Sequence, residues 1–115
     1  MSITIYHNPR CSKSRETLKL LQDKGIEPNV REYLKDVPSA EELQSVLTAL
    51  NISARELLRT KEAEYKEQGL DDLSLSDDQV IEIMTRVPKL IERPIVIKGD
   101  QARIGRPPES VLEIL

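Results

Sequence analysis

The chemistry-bearing residues of this chain crowd into its first fifteen positions. The segment His7-Asn8-Pro9-Arg10-Cys11-Ser12-Lys13-Ser14-Arg15 holds its only cysteine and its only histidine. It follows a short apolar stretch and opens a run with helical spacing. A cysteine at that junction lies where unpaired backbone N–H groups and the helix dipole favour negative charge. That environment favours thiolate, the nucleophilic form, over thiol. Arg15, four residues on, stands one helical turn above Cys11, and Arg10 and Lys13 add positive charge. The same N–H groups suit an oxyanion, so one loop offers both a nucleophile and a place for an anionic substrate. A lone cysteine is otherwise most often a small buried hydrophobe; polar and basic neighbours point here to reactivity. His7 fits a structural role and a supporting role at the thiol equally well.

Three arginines further along are candidates of a weaker kind. Arg59 ends Arg55-Glu56-Leu57-Leu58-Arg59, Arg93 precedes a proline at a strand start, and Arg106 sits at a strand-to-helix junction. Taken singly, each reads as a surface or salt-bridging residue, and spacing alone does not bring them together. The Cys-x5-Arg spacing of tyrosine phosphatases is absent. Ser14 occupies the second position of what would otherwise be a Cys-x-x-Cys redox pair. One cysteine makes no internal disulfide, and one cysteine with one histidine makes no zinc site.

The elements that must position these residues are readable in outline. Residues 3–6 form a β-branched, apolar strand ended by Asn8-Pro9. A helix begins at Cys11 with Ser14, Leu18 and Leu21 on one face, and Gly25 closes it. A second strand is expected over 29–34, giving a parallel strand–helix–strand unit with a right-handed crossover. Capping boxes at Ser39/Glu42, Ser53/Glu56 and Ser76/Gln79 predict helices through the middle, and Pro88 stops the last. Residues 95–97, a turn at 98–101 and residues 102–105 read as a hairpin, followed by a short helix with Pro108 near its first position. The order βαβ, helices, ββα predicts an α/β, thioredoxin-like fold with a mixed four-stranded sheet. We expect one domain, 1–115, with a helical insert at about 38–90.

Composition limits the functions. A chain of 115 residues with 32% charged residues and a formal net charge of -3 lacks the basic excess of a nucleic-acid or membrane-surface binder. Three Tyr and no Phe or Trp leave no aromatic platform for stacking bases. No apolar run reaches the ~20 residues of a membrane span, and the N-terminus lacks the pattern of a signal peptide. A free thiol suits a reducing cytoplasm. No bound cofactor is expected.

The ordered motifs carry a resemblance over nearly the whole chain. Ile-Tyr-His-Asn-Pro ending at Pro9, Cys11 with Ser14-Arg15, Arg-Glu-Leu-Leu-Arg at 55–59, Glu-Arg-Pro-Ile-Val at 92–96 and Gly-Arg-Pro-Pro-Glu at 105–109 resemble the glutaredoxin-linked arsenate reductase (ArsC) family, and most closely its branch of less-characterised reductases. The resemblance implies that Cys11 attacks arsenate and that Arg59, Arg93 and Arg106 bind the oxyanion and its adduct. It also implies that His7 supports the thiol, that glutathione is co-substrate and glutaredoxin a partner, and that Arg93–Pro94 is a cis peptide. The chain departs from the best-studied members at Arg10, Ser12 and Lys13, where they carry small residues, and in the C-terminal tail they have beyond the position of Leu115. The rival reading is a regulator of the related Spx type, which binds RNA polymerase; such proteins usually carry Cys-x-x-Cys. A third is a thiol oxidoreductase acting on another substrate.

Overall fold

The computed structural model describes residues 2–115, which form two compact units. One comprises the chain up to Asp36 together with Arg93–Leu115, and the other is Val37–Glu92.

The first unit is built on a four-stranded sheet in the order β2-β1-β3-β4. Strand β1 (Ile3–Tyr6) pairs in parallel with β2 (Asn29–Arg31), placing Ile5 opposite Val30. On its other edge β1 runs antiparallel to β3 (Ile95–Lys98), which forms a hairpin with β4 (Gln101–Ile104). Helix α1 (Ser12–Asp23) connects β1 to β2. Gly25, at φ 78°, ends the helix. Its N–H donates to the Gln22 carbonyl and that of Ile26 to Leu21, the paired closure that a left-handed residue after a helix permits.

The core of this unit joins Ile5, Leu21, Val96, Val111 and Ile114, with Ile3, Leu18, Leu20 and Ile26 packed against it. Each fully buried aliphatic side chain contributes roughly 1.5–3 kcal/mol relative to exposure.

Three expectations for this unit are adjusted by the structure. The second strand stops at Arg31, not at 34, because the N–H groups of Lys35 and Asp36 turn back to the Glu32 carbonyl. That turn lays Tyr33 against Tyr6, with ring centroids 6.5 Å apart, and brings Arg31 over the Tyr6 ring at 5.4 Å. The buried face of α1 is Ser14, Thr17 and Leu21, while Leu18 is only half-buried. Thr17 can be buried because its hydroxyl donates to the Lys13 carbonyl. The closing helix is a 3₁₀ helix, Pro108–Ile114. Its buried residues Pro108, Val111 and Ile114 are three apart, the period of a 3₁₀ helix and not of an α-helix.

The second unit is helical. Helix α2 (Ala40–Leu50) and helix α4 (Asp77–Arg86) each start with a complete capping box, Ser39 with Glu42 and Ser76 with Gln79, and the two helices pack together. The Ser53/Glu56 box also forms, but it opens only a 3₁₀ turn, Arg55–Leu57. A five-residue helix α3 (Ala63–Glu67) was not expected; it has no side-chain cap and buries none of its residues, so it leaves no hydrophobic periodicity to read. After Pro88 the chain forms a short bridge between Leu58 and Ile91, framed by hydrogen bonds from Arg59 N–H to the Leu90 carbonyl and from Glu92 N–H to Leu57.

Candidate active site around Cys11

The loop from His7 to Cys11 is fixed by a dense set of short bonds. His7 N–H donates to the Arg31 carbonyl at 2.8 Å, carrying the β1–β2 pairing one residue past the strand. The His7 ring, only 6% exposed, shares a 2.6 Å hydrogen bond between Nδ1 and Ser14 Oγ. Ser14 Oγ also accepts the Asn8 N–H at 3.0 Å. Asn8 in turn accepts twice: its backbone carbonyl takes the Cys11 N–H, and its side-chain oxygen takes the Arg10 N–H, both at 3.0 Å. Arg15 closes the loop from the helix side by donating from Nη1 to the Pro9 carbonyl at 3.0 Å.

Burial holds the His7 pKa below its ordinary value of 6.5; nearby Glu32 partly opposes the shift and Arg15 adds to it. The imidazole is therefore neutral at physiological pH, a hydrogen-bonding group beside the loop and not a fixed cation.

Cys11 occupies the N-cap of α1 with an extended backbone, φ -96° and ψ 123°, and its sulfur makes no capping bond. Instead the sulfur meets Arg106, whose Nη2 donates toward Sγ at 3.5 Å across 95 positions of sequence. Arg106 is braced by a second bond, from Nε to the Arg93 carbonyl at 2.8 Å. The brace exists because the hairpin returns the chain beside β3: Gly105 N–H donates to the Pro94 carbonyl at 2.9 Å. Both Arg93–Pro94 and Arg106–Pro107 are cis peptides, the first as expected. Gly105 has no room for a side chain. A Cβ there would lie 2.5 Å from Thr17 Oγ1 and 2.8 Å from Pro94 Cγ. Helix α1, β4 and the Pro94 turn are thus pressed together one residue before Arg106.

The candidate residues divide between the units. Cys11, His7, Ser14, Arg15, Arg93 and Arg106 all lie in the sheet unit. Arg106 touches the sulfur, Arg93 reaches the pair through its carbonyl, and His7, Ser14 and Arg15 hold the loop. Arg59 belongs to the helical unit, where its guanidinium pairs with Glu62 at 2.9 Å and Glu92 at 3.8 Å. Lys89 bridges Glu62 and Glu64 beside it. Arg10 is exposed, and Lys13 is engaged with Glu16 at 3.5 Å. Cys11 itself is only 8% exposed.

Sequence reasoning missed Thr17 and Gly105, whose contact shapes the site, and took Asn8 only as a strand-ending turn. An Asn whose side chain meets the N–H two residues on is a known local motif, so the signal for Asn8 was present. Among the described residues no group of three or more His, Cys, Asp and Glu side chains could hold a metal ion, and no helix is long and apolar enough to cross a membrane.

A mixed four-stranded sheet that presents one cysteine at the start of its first helix, faced by an arginine from the far end of its hairpin, defines a thioredoxin-like protein with a single thiol at its site. Within that class the chain belongs to the ArsC family, whose sequence profile matches residues 6–114. It is 54% identical to an arsenate reductase of Haemophilus influenzae, with the whole of both chains covered. It is 44% identical to an arsenate reductase of Rhizobium meliloti, over all of this chain and 82% of that one. The solved structure of an arsenate reductase from Vibrio cholerae superposes with a TM-score of 0.97 at 56% identity, covering all of this chain and 98% of the other.

Proposed function

We propose that this protein reduces arsenate to arsenite through a covalent adduct on Cys11, using thiols from solution as the reductant. The observation that carries the reading is the contact between Arg106 Nη2 and Cys11 Sγ at the start of α1. A guanidinium beside the sulfur offers a planar fork to a tetrahedral oxyanion. Arg93 and Arg59 are the further oxyanion-binding residues of this reading; in the structure Arg59 pairs with Glu62 and Glu92.

The reaction balances with external thiols alone. The Cys11 sulfur attacks arsenic, forming an S–As bond while an arsenate oxygen leaves as water. Dividing the reduction through this adduct replaces one hard step by easier ones. A second thiol then attacks the Cys11 sulfur. The S–As bond breaks with its electron pair retained by arsenic, arsenite departs, and the two sulfurs are left as a mixed disulfide. A further thiol regenerates Cys11. Glutathione is the proposed co-substrate and glutaredoxin the partner that resolves the disulfide, in a reducing cytoplasm.

The test is arsenate-dependent NADPH oxidation in the presence of glutathione, glutaredoxin and glutathione reductase. Saturable oxidation that requires both arsenate and Cys11 supports the reading; a rate equal to that without the protein removes it.

A further inference from the structure

We infer that Asn8 is a positioning residue for Cys11, aiming its sulfur at Arg106 through the loop it ties together. Its use in oxyanion reduction rests on the function proposed above; its effect on the sulfur does not.

Asn8 uses three polar atoms on three different neighbours. Its N–H donates to Ser14 Oγ, its carbonyl accepts from Cys11 N–H, and its side-chain Oδ1 accepts from Arg10 N–H, each at 3.0 Å. The first bond ties the loop to the first turn of α1 and, through Ser14, to the buried His7. The second fixes the backbone of the nucleophile itself. The third closes the turn that carries the chain from β1 into the helix. Of the three, only the third belongs to the side chain, so it alone is what a substitution of Asn8 removes. Asn and Asp close such turns best, and Ser closes them more weakly by the same geometry. Without that acceptor the Pro9–Arg10 peptide is held from one end only, by the Arg15 bond to its carbonyl, and Cys11 is the next residue. The side-chain geometry at stake is the 3.5 Å separation of Sγ from Arg106 Nη2, on an N-cap sulfur that no capping bond restrains.

The experiment compares wild type, Asn8→Ala and Asn8→Ser for alkylation of Cys11 by iodoacetate and by iodoacetamide. The two reagents form the same S–C bond and release the same iodide, but only the first carries a negative charge. Their rate ratio therefore reports the positive charge at the sulfur, which Arg106 contacts directly, and does not depend on arsenate at all. We expect Asn8→Ala to lower the ratio by about two- to fivefold, the size of a partly screened charge contact, and Asn8→Ser to keep most of it. In the reductase assay Asn8→Ala should lower kcat more than it raises KM, because arsenate still meets its arginines while the sulfur is misdirected. An unchanged ratio in Asn8→Ala overturns the proposal. So does an equal fall in both variants, which would mark a requirement for Asn unrelated to its turn-closing acceptor. If Asn8→Ala does not fold, Asn8→Ser decides alone: retention of the wild-type ratio supports the assignment, and loss of the anion preference refutes it. Wild type that reduces no arsenate yet shows the ratio change would defeat the proposed function and leave the positioning role standing.

Discussion

The two units of this protein handle arginine in opposite ways. In the sheet unit Arg106 is held by a backbone carbonyl and meets the Cys11 sulfur. In the helical unit Arg59 is held by two carboxylates, with Lys89 and Glu64 extending the ion pairs around it. The first arrangement depends on strand register and on one close approach at Gly105. The second is assembled from side chains within a few turns of chain, plus the Leu58–Ile91 bridge that sets Glu92 across from Arg59. Arg106 lies against the thiol itself, whereas Arg59 is paired with carboxylates. The two should therefore fail differently when removed.

The largest effect should come from Arg106. Arg106→Ala is expected to lower kcat/KM for arsenate by about 10- to 100-fold, the loss of a charge-assisted bond worth ~1.5–3 kcal/mol, and also to slow alkylation of Cys11 by iodoacetamide. Arg59→Ala should raise KM for arsenate while leaving that alkylation rate unchanged. If both variants slow alkylation equally, the contrast between the two arginines is wrong.

Next comes Gly105→Ala, measured as the urea midpoint. A methyl group driven into Thr17 and Pro94 should cost ~1–3 kcal/mol by overpacking and should weaken the anion preference of Cys11, since Arg106 is the adjacent residue. Ser76→Ala should cost ~1 kcal/mol by removing a helix cap without altering Cys11 alkylation. That outcome would show that damage confined to the helical unit spares the thiol.

The smallest effect concerns His7. Its pKa is held below the ordinary 6.5, first by burial, so the unfolded chain takes up a proton before the folded one does. The stability tied to neutral His7 is then fully present above about 6.5 and is lost as pH falls below that value toward the depressed folded pKa. Compared with His7→Gln, wild type should lose more of its urea midpoint between pH 7.5 and 5.5.

How far the sequence could be read follows the same division between local and distant interactions. The capping boxes at Ser39 and Ser76 stood out because each is closed within four residues, and β1, the hairpin and Gly25 are likewise short-range features. The position of Cys11 at the mouth of α1 was legible for the same reason. The 3₁₀ form of the last helix was encoded in the three-residue spacing of Pro108, Val111 and Ile114, but two prolines ahead of an apolar run read equally as an α-helix start. The Arg106–Cys11 contact was beyond spacing arguments, because it depends on the β1–β3 and β3–β4 registers acting together. Only the resemblance to a family pointed to it. Thr17 escaped because a polar residue one turn from Ser14 gave no apolar signal, although its own hydroxyl bond to Lys13 pays for its burial.

The central claim is that a single thiol on this chain reduces arsenate only with sulfur supplied from outside. It is tested by counting arsenite per protein with no thiol, with glutathione alone, and with glutathione plus glutaredoxin, using Cys11→Ser as the blank. The account predicts no catalytic arsenite in the first condition and many turnovers in the third, all abolished in Cys11→Ser. Catalytic arsenite without any added thiol, or none in all three conditions, would contradict it.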